Sequence, residues 1–136
     1  MRRIVLVALA LVFSLLAFAA IGFAQTPVEK PTTAVWDYAA YATAQKYELG
    51  YFAFPVTAGS CNFAATPGSS PTQTDDLGKP ATTTGVGITA PLVARPIGCY
   101  GAKVRVLDVS GLYTDWSPLS NSFFTRPPAP SAPVVK

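Results

Sequence analysis

The chain has 136 residues, thirteen prolines, ten glycines, two cysteines and no histidine, with a net charge of +3. That length suits one domain. Without histidine the commonest general base and metal ligand are missing, and neither a G-x-S-x-G elbow nor an S-x-x-K motif offers a serine nucleophile instead.

Arg2 and Arg3 precede an apolar run over residues 4–23, and Gly22-Phe23-Ala24 places small residues three places and one place before Gln25. This is the pattern of a secretory signal peptide over residues 1–24, cleaved after Ala24. An uncleaved membrane anchor is the alternative, since the run is long enough to span a bilayer. No cysteine follows the run, so a lipoprotein anchor is not indicated. Apart from Arg2 and Arg3, eight basic residues face seven acidic ones. A nearly neutral mature chain gives no electrostatic case for nucleic acid or for an anionic membrane surface. In an exported chain the even pair of cysteines predicts one disulfide, Cys61–Cys99.

Residues 25–31, QTPVEKP, read as a linker or short edge strand because of their flanking prolines. Residues 32–38, TTAVWDY, alternate as a strand, with Ala34, Trp36 and Tyr38 on one face. Residues 39–45 are alanine-rich, uncapped and short, which predicts a loop. Over residues 46–54 a second strand places Tyr47, Leu49, Tyr51 and Ala53 on one face, with Glu48, Gly50, Phe52 and Phe54 on the other, and Pro55 ends it. Residues 56–87 turn to Thr, Gly, Ser, Pro and Asp, the chemistry of a long loop with at most a short strand near residues 61–65. Residues 86–93 form a weaker strand.

The clearest pattern follows. Over residues 99–109 Ala102, Val104, Val106 and Asp108 alternate with Lys103, Arg105 and Leu107, and Ser110-Gly111 marks a turn. Residues 112–117 and 121–125 are expected to return as strands around Pro118. Residues 126–136, RPPAPSAPVVK, form a proline-rich tail that favours extended polyproline II conformations. No internal repeat and no long amphipathic helix interrupts this order, so the expected fold class is all-β, a sandwich of short strands.

Trp36 on an early strand, Tyr47-x-Leu49 on the next, the run from Tyr100 to Asp108, and Ser110-Gly111 followed by Trp116-Ser117 together resemble a fibronectin type III domain. The likeness covers residues 32–125 and implies an immunoglobulin-like β-sandwich. In it Trp36, Tyr47, Tyr100, Val104 and Val106 fill the core, with Tyr100 at the entry corner of the sixth strand. The first strand is almost missing, and the connection carrying Cys61 is enlarged.

The only adjacent carboxylates, Asp75-Asp76, fall in the expected loop, and their spacing is not that of an EF-hand or a nonapeptide calcium repeat. Catalytic, cofactor and metal residues are therefore not assigned. The expected function is a non-catalytic structural or adhesive module, secreted or held in the cell envelope, including service as a subunit of a surface assembly or filament. Its contact surfaces would be the tip Ser110, Gly111, Leu112, Tyr113, Thr114 and Asp115 together with residues 56–85, because binding tends to sit on loops over a rigid sandwich. Partners would be a protein or glycan at the cell surface, or further copies of the chain joined through the tail. The alternative is a carbohydrate or small-ligand binder with a pocket under the insertion. The additional aromatics Tyr41, Phe63, Tyr113 and Phe123, where exposed near loops, would suit sugar or protein contacts.

Overall fold

The computed structural model describes residues 26–92 and 97–126. The expected signal peptide and the tail beyond Arg126 lie outside them. In chain order the elements are β1 (Val28–Glu29), β2 (Thr33–Trp36), a 3-10 turn (Tyr41–Thr43), β3 (Ala44–Ala53), β4 (Val56–Thr57), β5 (Ser60–Cys61), β6 (Gln73–Gly78), β7 (Ile88–Pro91), β8 (Gly98–Asp108) and β9 (Phe123–Thr125). The described part is all-β apart from that turn, and no helix in it is long and apolar enough to cross a membrane.

Two long strands form the frame. β3 and β8 pair antiparallel with Leu49 opposite Val104 and Tyr51 opposite Ala102, and the sheet extends in the order β1-β9-β8-β3-β6. β2 and β7 make a second, two-stranded sheet. Period-two alternation decides what lies between them. Tyr47, Leu49, Tyr51, Tyr100, Ala102 and Val106 face inward, where Ala34, Trp36, Ile88 and Leu92 of the second layer meet them. Of the expected core residues Tyr47, Tyr100 and Val106 are buried, while Trp36 and Val104 are half-buried and pack against the clusters.

Several elements depart from the sequence expectation. β3 begins at Ala44, within the expected loop, because the small Ala44 side chain is buried beside Tyr47 and Val106. The long loop is not structureless. β4 and β5 form a hairpin through Ala58 and Gly59, both at positive φ (50° and 76°), as a two-residue turn of this hand requires. β6 is an edge strand paired with β3, so Asp75 and Asp76 sit on a sheet and not in a loop. Asp75 points inward and accepts hydrogen bonds from Tyr51 Oη and from Gln73 Nε2 (2.9 Å for the latter). Asp76 points outward and accepts from Lys46 Nζ at 2.8 Å. Residues 25–31 contribute β1, which lies parallel to β9. The expected strand at 86–93 is Ile88–Pro91; Val93 lies outside the described residues.

The return after the Ser110-Gly111 turn is the largest departure. Residues 112–117 are not a strand; only Tyr113 bridges to Leu107. Instead Thr114, Ser117 and Ser120 clip the chain to β8, each by the same pair of hydrogen bonds. The backbone N–H groups of Thr114, Ser117 and Ser120 donate to the carbonyls of Val106, Val104 and Ala102 at 2.9, 2.9 and 2.8 Å. The N–H groups of Val106, Val104 and Ala102 donate back to the three hydroxyl oxygens at 3.1, 3.0 and 2.9 Å. The arm thus advances three residues for every two of β8. Three residues per turn is the polyproline II period, and it leaves Pro118 where no N–H is needed. Trp116 and Leu119 fold over the outer face. A Cβ on Gly50 would lie 2.9 Å from the Trp116 ring, and one on Gly101 would lie 2.7 Å from Leu119 Cδ1. This explains two glycines in the middle of otherwise regular strands.

Tyr47 supplies a test of the core. It is fully buried between the rings of Trp36 (centroids 5.2 Å apart) and Tyr38 (6.1 Å), and its hydroxyl has no hydrogen-bond partner among the described residues. Burial, reinforced by Tyr41 and Tyr38, pushes its ionisation up to about 12. An acid whose folded value lies above its unfolded one stabilises fully below the unfolded value, near pH 10, and loses that contribution as pH rises through the folded value. Tyr47→Phe is expected to raise stability by about 1 kcal/mol, since it removes an unsatisfied buried hydroxyl. It should also lessen the loss of stability between about pH 10 and 12. Urea melts of both proteins across that range provide the check.

A candidate binding surface at the loop end

The register of the strands brings three connections to one end. Ala44 pairs with Asp108 and Tyr47 with Gly78 in the large sheet, while Trp36 pairs with Ile88 in the small one. Residues 37–43, 79–87 and 109–112 therefore emerge together. They are joined by hydrogen bonds. Tyr38 N–H donates to Gly85 O at 2.6 Å, Tyr41 Oη to Pro80 O at 2.8 Å, Val109 N–H to Thr43 O at 3.0 Å, and Gly87 N–H to the Asp37 carboxylate. Lys79 Nζ stands 4.4 Å over the Tyr41 ring. Gly85 cannot be replaced without movement, because a Cβ there would lie 2.0 Å from Tyr38 O.

The hairpin tip is closed from within. Gly111 has φ +83°, its N–H donates to Asp108 O at 2.9 Å, and the Asp108 carboxylate accepts from Ser110 N–H at 2.7 Å. Hydrogen bonds from the Ser110 backbone and from the Ser110 and Thr43 side chains hold this carboxyl below the usual range. The chain thus fixes the backbone of all three loops while leaving apolar side chains outside: Val86 is 73 % exposed, Val109 61 %, Leu112 71 % and Tyr113 43 %. Asp115 is exposed and Thr114 half-buried in its clip to β8.

Tyr113 is held from behind by a stack of cations and rings on the outer face of β3 and β8. The Arg105 guanidinium lies 4.1 Å from the Tyr113 ring centre and 4.6 Å from that of Trp116. Trp116 meets Phe52 edge-on at 5.6 Å, and Lys103 Nζ lies 4.8 Å over Phe52. Glu48, 7 % exposed, is the hub. It accepts from Arg105 Nε and Nη2 at 2.9 and 2.7 Å and from Tyr113 Oη, and it pairs with Lys46 Nζ at 3.1 Å. Burial alone would push its carboxyl up. The hydrogen bonds from Tyr113, Arg105 and Lys46 outweigh that and hold it below the usual range. Asp76 and Glu48 in turn hold the Lys46 ammonium above the usual lysine range.

Of the two expected contact regions, the structure places Ser110–Asp115 at this end, together with only the last part of the insertion, residues 79–85. Residues 56–61 lie at the opposite end, where Cys61 and Cys99 are bonded (Cα–Cα 5.6 Å). Phe63 packs there between Phe54 and Phe124, at 5.2 and 6.4 Å, and Phe123 is buried in the core. Tyr41 is fixed in the loop platform by its bond to Pro80 O. Sequence reasoning missed residues 37–43; the signal for them is Tyr41 beside an alanine run with no helix cap. Among the described residues no group of three or more acidic or cysteine side chains is placed to hold a metal ion. No family model, curated protein or solved structure matches the chain.

Proposed function

We propose that this chain is an exported, non-catalytic recognition module of fibronectin type III-like topology that binds a protein partner through its loop end. Support for the topology comes from the partition of strands. β2 and β7 share one sheet while β3, β8 and β9 are neighbours in the other, as the second and fifth strands are divided from the third, sixth and seventh in immunoglobulin-like sandwiches. The observation that carries the functional reading is the loop end itself. Residues 37–43 are bonded to both neighbouring loops, and this end presents Val86, Val109 and Leu112, with the amphipathic Tyr113 just beyond them, to solvent on a backbone already fixed. Preorganised loops lose little entropy on binding, and apolar and tyrosine side chains are the usual anchors of protein contacts.

The test is a charge placed at each end in turn. Leu112→Asp in the full chain is expected to weaken binding to the surface of the producing cells at least about tenfold while leaving the melting temperature unchanged. Val56→Asp, at an exposed apolar site of the opposite end, is expected to bind as the parent does. Full binding by Leu112→Asp would overturn the reading.

A further inference from the structure

Beside β2 the two layers do not close. A cleft of about 350 Å³ opens there, lined by Val28, Pro31, Ala34, Leu92, Ala102 and Phe123 among others. Its rim is a sheet edge. Leu92 N–H donates to Thr32 O at 2.8 Å, so by antiparallel alternation Ala34 and Trp36 turn their backbone groups toward β7, while Thr33 and Val35 turn theirs to the other side. No strand pairs with that side among the described residues. The side chains follow the same alternation: Ala34 and Trp36 pack inward, and Val35 is 63 % exposed.

We propose that this cleft docks the proline-rich tail, residues 127–136, of a second copy of the chain, which joins β2 as an added strand and links copies head to tail. The sequence of the tail fits the edge in a specific way. A strand pairing with Thr33 and Val35 needs two N–H groups at positions i and i+2. The tail offers three such pairs, Ala129 with Ser131, Ala132 with Val134, and Val134 with Lys136. In each case the residue between them, Pro130, Pro133 or Val135, is the one whose backbone points away from β2 and whose side chain points into the apolar cleft. Proline is tolerated there because its missing N–H is not needed. Lys136 and Ser131 fall on the solvent side in these registers.

The occupant is a second copy because of how β9 leaves the sheet. Thr125 pairs with Gly98, and at that end the gap between the layers is already crossed by residues 30–32, with Lys30 N–H bonded to Phe124 O at 2.9 Å. Arg126, Pro127, Ala129 and Ala132 each precede a proline, which biases them to extended backbone and opposes the reversal that docking on the same molecule would need. Addition of this kind is heterologous and builds open chains of subunits.

The deciding experiment compares the full chain with Ser131→Pro/Val134→Pro, which leaves no two N–H groups at i and i+2 in the tail and changes none of the described residues. The parent should show a mass by sedimentation that climbs with concentration. The double variant should stay monomeric with the same melting temperature, and its Thr33 and Val35 amides should exchange at least about tenfold faster than in the assembled parent. Three results would overturn the proposal: a parent that stays monomeric, a double variant that assembles as the parent does, or Thr33 and Val35 amides protected in the parent monomer, which would mean each tail fills its own cleft. Each of these leaves the loop-end reading untouched, since Val86, Val109 and Leu112 belong neither to the lining of the cleft nor to the edge of β2.

Discussion

Replacing both Cys61 and Cys99 by alanine is expected to cost about 4 kcal/mol, the chain-entropy value for a bridge spanning 38 residues. In a domain of this size that corresponds to a fall of roughly 20 °C in melting temperature. Local structure offers little to offset the loss. β4 and β5 pair over two residues each, and apart from that and the bridge their hairpin has Asn62 N–H on Pro55 O at 2.9 Å and Phe63 between Phe54 and Phe124. The bridge ties this hairpin to the first residues of β8, so its removal should loosen the Gly98 end first. Melts with and without reductant give the same comparison on the native chain. A melting temperature indifferent to reductant would contradict the expectation.

The second large effect concerns Arg105. Arg105→Met should cost about 2 kcal/mol, a value reduced from that of a fully buried ion pair because the Arg105 side chain is 31 % exposed. The substitution leaves the largely buried Glu48 without its two-pronged partner and takes the spacer from between Tyr113 and Trp116. The pH dependence distinguishes this from simple loss of packing. Glu48 has its carboxyl depressed in the folded state. Its contribution is therefore present above the unfolded value, near pH 4, and is lost as pH falls through the folded one. Without Arg105 the depression shrinks, so the variant should lose less stability than the parent between neutral and acid pH. Denaturant melts at neutral and acid pH measure both effects. An acid limb as steep as the parent's would show that Arg105 acts through packing alone.

How legible this was in the sequence depends on the range of the interactions. β3 and β8 announce themselves because alternation is local: the pattern of Tyr47, Leu49 and Tyr51 opposite Glu48, Gly50 and Phe52 needs no knowledge of neighbours, and the structure keeps it. β6 was not legible. Asp75 and Asp76 disfavour a strand by propensity, and they are held there by Tyr51, 24 residues away, and Lys46, 30 residues away. The arm after Gly111 departs from the strand its sequence suggests for a related reason. Its pairing with β8 runs through the hydroxyls of Thr114, Ser117 and Ser120, a three-residue spacing that a search for period two passes over. Gly50 and Gly101 were the available hint, since a glycine inside a strand marks a close approach, here by Trp116 and Leu119.

The candidate surface shows the same division. Its tip, Ser110 to Asp115, follows from a glycine turn between alternating runs. The two loops that complete it could not be read locally, because Tyr38 and Gly85 are bonded across 47 residues of sequence. The disulfide, legible from the cysteine count, holds the end away from this surface, so the bridge and the tip act as separate devices on one sheet.

Photo-crosslinking tests the central claim most directly. A photoreactive phenylalanine analogue placed at Leu112 of the full chain, and separately at Val56, is exposed to producing cells and irradiated. Binding through the loop end predicts a discrete crosslinked partner from position 112 and none from position 56. Equal crosslinking from both positions, or a partner captured from position 56 alone, would contradict it.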